Sequence, residues 1–232
     1  MSRRPILAGN WKMNLLRGEA RAFCSALSAE VRAAAPDVDV LLFPPAVLID
    51  TVVAGVGDAA IGVGGQDVHP SPSGAHTGDV SAPQLRDAGC GWALVGHSER
   101  RQDHGEDDRA VGRKAQAACE HGLRPMICLG ETGDERRAGG TFDVLERQLE
   151  ASLGDAIRDG CEFAVAYEPV WAIGTGLTAT PELAQEAHAH LRSALGRRLG
   201  EERAGGVRLL YGGSAKPGNV AELFAQPDEE SV

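Results

Sequence analysis

With 232 residues, 33 Asp and Glu against 23 Lys and Arg, and a formal net charge of −10, the chain is too acidic to favour nucleic acid or an anionic membrane as partner. Its length suits one large α/β domain over residues 1–232, and no apolar run has the length of a signal peptide or a membrane span, which points to the cytoplasm. Five cysteines (Cys24, Cys90, Cys119, Cys128, Cys161) are odd in number and scattered, without CxxC or partner histidines at ligand spacing. Buried, reduced thiols and no metal are the expectation.

Apolar runs and helical patterns alternate along the chain. Ile6 to Ala8 begins a strand that ends in Gly9-Asn10-Trp11-Lys12, and Ala20, Phe23, Leu27 and Val31 mark one face of the helix that follows. Val38 to Phe43 is the second strand, stopped by Pro44-Pro45, with a helix from Ala46 to Val56. Ala59 to Val63 is the third, leading through Gly64-Gly65-Gln66-Asp67 into a loop that reaches Ser81, well beyond the usual length for such a connection. Trp92 to Gly96 delivers His97-Ser98-Glu99-Arg100-Arg101 ahead of a helix over about Glu106 to Glu120. Arg124 to Leu129 ends in Gly130-Glu131-Thr132, and Leu145, Leu149, Leu153 and Ile157 share one face of the next helix. Phe163 to Tyr167 is the sixth strand; Thr180 and Pro181 open a long helix with Leu183, Ala187, Leu191, Leu195 and Leu199 inward. Val207 to Tyr211 is the seventh, followed by Gly212-Gly213-Ser214 and a short helix over Asn219 to Phe224.

Seven strand and helix units in this rhythm predict a right-handed series of parallel crossovers. An eight-fold barrel, usually about 250 residues, gathers the carboxyl ends of its strands at one mouth. Asn10, Lys12, His97, Glu168 and Ser214 all stand at such ends.

The stretch around Glu168 is the most informative. The carboxylate closes an apolar run, Pro169 stops the strand, and Val170-Trp171-Ala172-Ile173 leads into Gly174-Thr175-Gly176, a loop with two glycines free to change backbone angles. A buried base under a moving cover could take a proton from carbon with water shut out. On this stretch alone, a Glu that merely ends a strand beside a surface loop reads equally well. Lys12 carries a separate argument: twenty of the basic residues are Arg and only Lys12, Lys114 and Lys216 are Lys, so a Lys at the mouth suggests a need for a compact ammonium. His69, His76, His104, His121, His188 and His190 are assigned no chemistry.

Five segments, GNWKMN at 9–14, GHSERR at 96–101, CLGET at 128–132, YEPVWAIGTG at 167–176 and YGGSAKPGN at 211–219, resemble the triosephosphate isomerase family in order and spacing over nearly the whole chain. The resemblance implies an α/β fold of the TIM (β/α)8 barrel type. It also implies an isomerase that interconverts dihydroxyacetone phosphate and D-glyceraldehyde 3-phosphate, in glycolysis and gluconeogenesis, without cofactor or metal. Glu168 would be the base that moves a proton between two carbons through an enediolate, and His97 the electrophile that polarises the carbonyl. Lys12, with Asn10, would hold the substrate and stabilise the developing negative charge. Gly174 in the lid and Ser214 at the seventh turn would grip the phosphate through backbone amides. The family's Glu base, neutral His and closing loop are themselves a worked case of pKa tuning, taken over here with the resemblance. A helix amino terminus at His97 disfavours the imidazolium, so a neutral ring is expected.

Some positions depart from the family's pattern. After Phe224 the sequence reads AQPDEESV, where the family continues with an eighth strand carrying a Gly-Gly phosphate contact and a final helix; the expectation is a barrel with that strand and helix missing. Leu177 stands where a Lys is usual at the lid's closing hinge, and Asp79 replaces a usual Glu. The loop around Thr77, which in the family reaches the neighbouring subunit, implies a twofold homodimer; a monomer is the alternative. A noncatalytic barrel acting as a binding or assembly partner, and a barrel isomerase for another sugar phosphate, are the competing functional readings.

Overall fold

Among the described residues, seven strands pair in chain order, every pair parallel. They are β1 (Ile6–Asn10), β2 (Asp39–Phe43), β3 (Ile61–Gly65), β4 (Trp92–Val95), β5 (Arg124–Leu129), β6 (Ala164–Tyr167) and β7 (Arg208–Tyr211). The computed structural model describes residues 3–172, 179–213 and 222. The eighth strand of the family pattern has no counterpart among these residues, and the helix expected over Asn219 to Phe224 lies outside them apart from Glu222.

Among the described residues, helices follow each of the first six strands: α1 (Arg17–Ala34), α2 (Ile49–Val56), α3 (Ala82–Asp87), α4 (Ser98–His104), α5 (Asp108–Glu120), α6 (Gly133–Arg137), α7 (Thr141–Ser152), α8 (Asp155–Arg158), α9 (Pro181–Leu199) and α10 (Glu201–Gly206). Their starts are chemically marked. Asp107 caps α5 by accepting from Ala110 N at 2.7 Å. Ser81 with Gln84, and Thr132 with Glu135, form reciprocal capping boxes at α3 and α6. One expected helix is two: α7 ends at Ser152 and Ile157 belongs to α8. Leu153 and Ile157 are buried nonetheless. No helix among the described residues is long and apolar enough to cross a membrane.

Most of the strands read as continuous apolar runs because both faces are buried, β1 being the exception with Leu7 43 % exposed. Leu41 and Phe43, Trp92 and Leu94, Met126 and Cys128, Ala164 and Ala166, and Leu210 fill the inside of the curled sheet. The residues between them, such as Leu42, Val95, Ile127, Val165 and Leu209, pack outward against the helices. The sheet curls far enough that Arg208, at the start of β7, donates to Asp39, at the start of β2, over 2.7 Å. Arg124 and Arg208 also lie over the Trp92 ring, 4.7 and 5.5 Å from its centroid, closing the amino-terminal end with cations on an aromatic face.

Two findings bear on residues singled out by composition. Lys114 is buried, with Nζ 2.6 and 2.8 Å from the two oxygens of Asp67 and 2.5 Å from Glu106 Oε1. A compact ammonium is needed there too, for structural reasons. The expectation that all cysteines are reduced is corrected: Cys119, near the end of α5, is bonded to Cys161, ahead of β6, with their Cα atoms 5.8 Å apart. Cys24, Cys90 and Cys128 are free and buried.

Candidate active site

Alternation along the strands places the reactive groups. On β6, Ala164 and Ala166 point into the barrel, and Glu168 continues that phase two residues on. The Glu168 backbone N–H still donates to Leu129 O at 2.8 Å, so its position is tied to β5. The side chain is 3 % exposed. On the neighbouring turns Gly130 and Gly212 leave room for it. A Cβ at Gly130 would stand 1.7 Å from Glu168 O, and one at Gly212 would stand 2.8 Å from Glu168 Cγ. Only hydrogen fits at either point.

His97 is the N-cap of α4. Its Nδ1 accepts from the Glu99 backbone N–H at 3.2 Å, the position a Ser or Asp oxygen takes in most helices. In the neutral ring this leaves the proton on Nε2, which lies 3.0 Å from Glu168 Oε1. Ser98 N donates to the other carboxylate oxygen at 2.8 Å. Two influences oppose each other at this ring in the resting state. Burial disfavours the imidazolium and is the largest single influence, but the hydrogen bond and charge of Glu168, with Glu99 close by, outweigh it and raise the His97 pKa above its ordinary value. The sequence argument weighed the helix terminus without the carboxylate that faces it.

Asn10 and Lys12 enter from β1. Lys12 has φ 50°, a left-handed conformation rare for a residue with a side chain. Asn10 Oδ1 accepts from Lys12 N at 2.9 Å. Gln66 Nε2 lies within hydrogen-bond distance of Lys12 O (2.9 Å), Phe43 O (2.8 Å) and Asn10 Oδ1 (3.2 Å). Lys12 Nζ pairs with Glu99 Oε1 at 2.6 Å. Asn10, Lys12, His97 and Glu168 line one cavity of about 390 Å³, floored by Leu94, Met126 and Cys128. Burial, with the Glu168 charge adding to it and Arg101 opposing, pushes the Cys128 thiol well above its usual range, so it stays a neutral part of the floor.

Sequence reasoning missed the groups that hold these four in place, because none is marked by its own neighbours in the chain. Gln66 is one. Glu131 is another: fully buried, it accepts from Tyr167 Oη at 3.2 Å, from Trp171 Nε1 at 2.8 Å and from Arg136 Nη1 at 3.2 Å, while the Arg136 guanidinium lies 4.5 Å above the Trp171 ring. Trp171 belongs to the short turn Val170–Ala172 that leaves Glu168, so this cluster anchors the chain entering the glycine loop. Gly174, Leu177 and Ser214 lie outside the described residues.

The chain matches the family model described as Triosephosphate isomerase over residues 5–230. Relatives bearing that name cover it almost end to end. The protein from Ruegeria pomeroyi is 52% identical over 223 residues, 96% of this chain and 87% of the relative. Those from Granulibacter bethesdensis and Chloroflexus aurantiacus are 47% and 45% identical over 225 residues each, 97% of this chain and 90% of the relative. A match of that extent, falling on a parallel barrel whose strand ends bring Asn10, Lys12, His97 and Glu168 into one cavity, leaves one conclusion: the chain belongs to the triosephosphate isomerase family.

Proposed function

We infer that this chain interconverts dihydroxyacetone phosphate and D-glyceraldehyde 3-phosphate, with residues 1–232 acting as one catalytic domain. The observation that carries the reading is the contact of Glu168 with His97 in a cavity that also holds Asn10 and Lys12. A triose phosphate entering it gives Glu168 a carbon acid in place of its resting partners, Ser98 N–H and His97. The carboxylate takes the proton from one carbon and returns it to the next. His97, holding its proton on Nε2 and its Nδ1 on the helix, donates to the substrate oxygen on which charge develops. Lys12 supplies a positive charge that substrate can share with Glu99.

Burial supports this chemistry, since charges inside a cavity shielded from water act more strongly than they would in solution. The phosphate grip assigned to Gly174 and Ser214 completes the reading, as does a homodimer formed through the loop around Thr77. Met13 and Leu16 on the loop after β1, and Val47 after β2, are 96 %, 76 % and 81 % exposed, an apolar surface that a second subunit would cover. No feature of the cavity favours a noncatalytic role.

The test is coupled triose-phosphate turnover by the purified chain beside a Glu168→Gln variant prepared identically. Loss of about a hundredfold or more in the variant is expected. Turnover no higher in the parent than in the variant, from folded protein, would overturn the assignment.

A further inference from the structure

Behind the cavity, one buried amide spends both of its polar groups on the turn that backs Glu168. Gln148 sits in the middle of α7, between Leu145 and Leu149, and all three are buried. Its Oε1 accepts from Gly130 N at 2.8 Å, and its Nε2 donates to Gly130 O at 3.2 Å. Gly130 is the first residue after β5. An amide in the apolar layer between helix and sheet costs free energy unless it is paired, and a Leu or Met would fill the place without that need.

Gly130 stands where β5 meets the base. On one side of it, Leu129 O accepts from Glu168 N at 2.8 Å. On the other, Glu131 accepts from Tyr167 Oη and Trp171 Nε1, which lie one residue before and three residues after Glu168. Between these contacts Gly130 itself is pressed so close to Glu168 that a Cβ would stand 1.7 Å from Glu168 O. The segment from Leu129 to Glu131 therefore touches the backbone of the base and both of its flanks, and Gln148 ties that segment to α7.

We propose that Gln148 is a positioning residue for the reaction: by holding Gly130 against the Glu168 backbone, it sets the place from which the carboxylate reaches the substrate carbon. It is not among the residues that line the cavity, and it rests on the isomerase activity inferred for this chain. An amide carries no charge, so its action is geometric. The N–H and C=O of Gly130 belong to the two peptide planes that flank it, and gripping both denies the glycine the rotation its backbone would otherwise allow. Without that grip the turn relaxes away from α7 and Glu168 follows. A misplacement of about 1 Å can cost about a hundredfold in rate, and a partial shift of the base about tenfold. Asn10 and Lys12 reach the cavity from β1 and do not depend on Gln148, so the loss falls on kcat and not on KM.

The experiment uses the full chain. Parent, Gln148→Met and Val144→Ala are compared by coupled triose-phosphate turnover, thermal melting and nitrogen NMR of His97. Met keeps the length and helix preference of Gln and can make neither hydrogen bond. In Gln148→Met kcat should fall about tenfold with KM unchanged. The His97 midpoint, raised in the parent by Glu168, should come down as the carboxylate shifts. Val144, buried one turn earlier in α7, controls for lost stability alone: Val144→Ala should lower the melting point and leave kcat and His97 as in the parent. Either a parent-like kcat or an unmoved His97 midpoint in folded Gln148→Met would overturn the proposal, and so would an equal loss of kcat in Val144→Ala. If Gln148→Met does not fold, Gln148→Asn, one methylene too short to span both contacts, takes its place with the same expectations. Parent turnover no higher than that of Glu168→Gln would overturn the isomerase activity and this proposal with it, whereas an active parent with unaffected Gln148 variants would overturn this proposal alone.

Discussion

Nε2 of His97 lies 3.0 Å from Oε1 of Glu168, so the base and the electrophile of the inferred reaction are each other's partners before substrate arrives. This contact, with Ser98 N–H on the second oxygen, defines a resting state whose charge distribution can be measured.

The first prediction concerns the protonation of His97. Its folded pKa is raised, the net result of burial opposed by the stronger influence of Glu168 and Glu99. For a base raised on folding, the added stability is fully present below the unfolded value of about 6.5 and is lost as pH rises through the higher folded value. Nitrogen NMR of the unliganded chain should show the His97 midpoint above the ordinary histidine value of about 6.5, and Glu168→Gln should bring the titration down. An unshifted midpoint in the parent would contradict the contact.

Gly130→Ala tests how tightly the base is placed. The new methyl would collide with Glu168 O at 1.7 Å, and Gln148, on both the N–H and the C=O of Gly130 at 2.8 and 3.2 Å, keeps that turn from yielding. Turnover should fall about a hundredfold, as for a displacement near 1 Å, with a stability loss of about 1–3 kcal/mol. Gly205→Ala, where the methyl meets nothing within 4 Å, is the control and should leave both unchanged.

Gln66→Leu removes the donor shared among Lys12 O, Phe43 O and Asn10 Oδ1. Asn10 Oδ1 and Phe43 O keep Lys12 N–H and Trp11 N–H, but Lys12 O loses this donor, which should cost about 1 kcal/mol in denaturant unfolding. Because Gln66 supports the left-handed Lys12, kcat/KM should also fall about tenfold. A stability loss with unaltered kinetics would show that Lys12 holds its position unaided.

The bond between Cys119 and Cys161 predicts a stability that depends on reductant. Their separation of 42 residues gives a chain-entropy contribution of about 4 kcal/mol at most. Reductant, or Cys119→Ser, should lower Tm by several degrees. Thiol titration of the unfolded, unreduced chain should find only Cys24, Cys90 and Cys128; a count including all five cysteines would exclude the bond.

What the sequence revealed was whatever repeats locally. The strand ends at Asn10, His97 and Glu168 were legible because buried runs end abruptly in polar residues and glycine, and β5 lies where its apolar run places it. The Cys119 to Cys161 pairing was not, since it depends on the end of α5 meeting the chain before β6, which no spacing encodes. Nor were Gln66 and Glu131, which act largely through partners distant in sequence. Lys shows both sides. Its scarcity marked Lys12 at the mouth, and the same scarcity marked Lys114, whose ammonium serves two half-buried carboxylates.

The disulfide also changes what a protease could do to this molecule. It turns the chain from residue 119 to residue 161 into a covalent ring that contains β5, Glu131 and α7. A single cut anywhere in that ring would leave one molecule with two new ends, its halves still joined, and separable only after reduction.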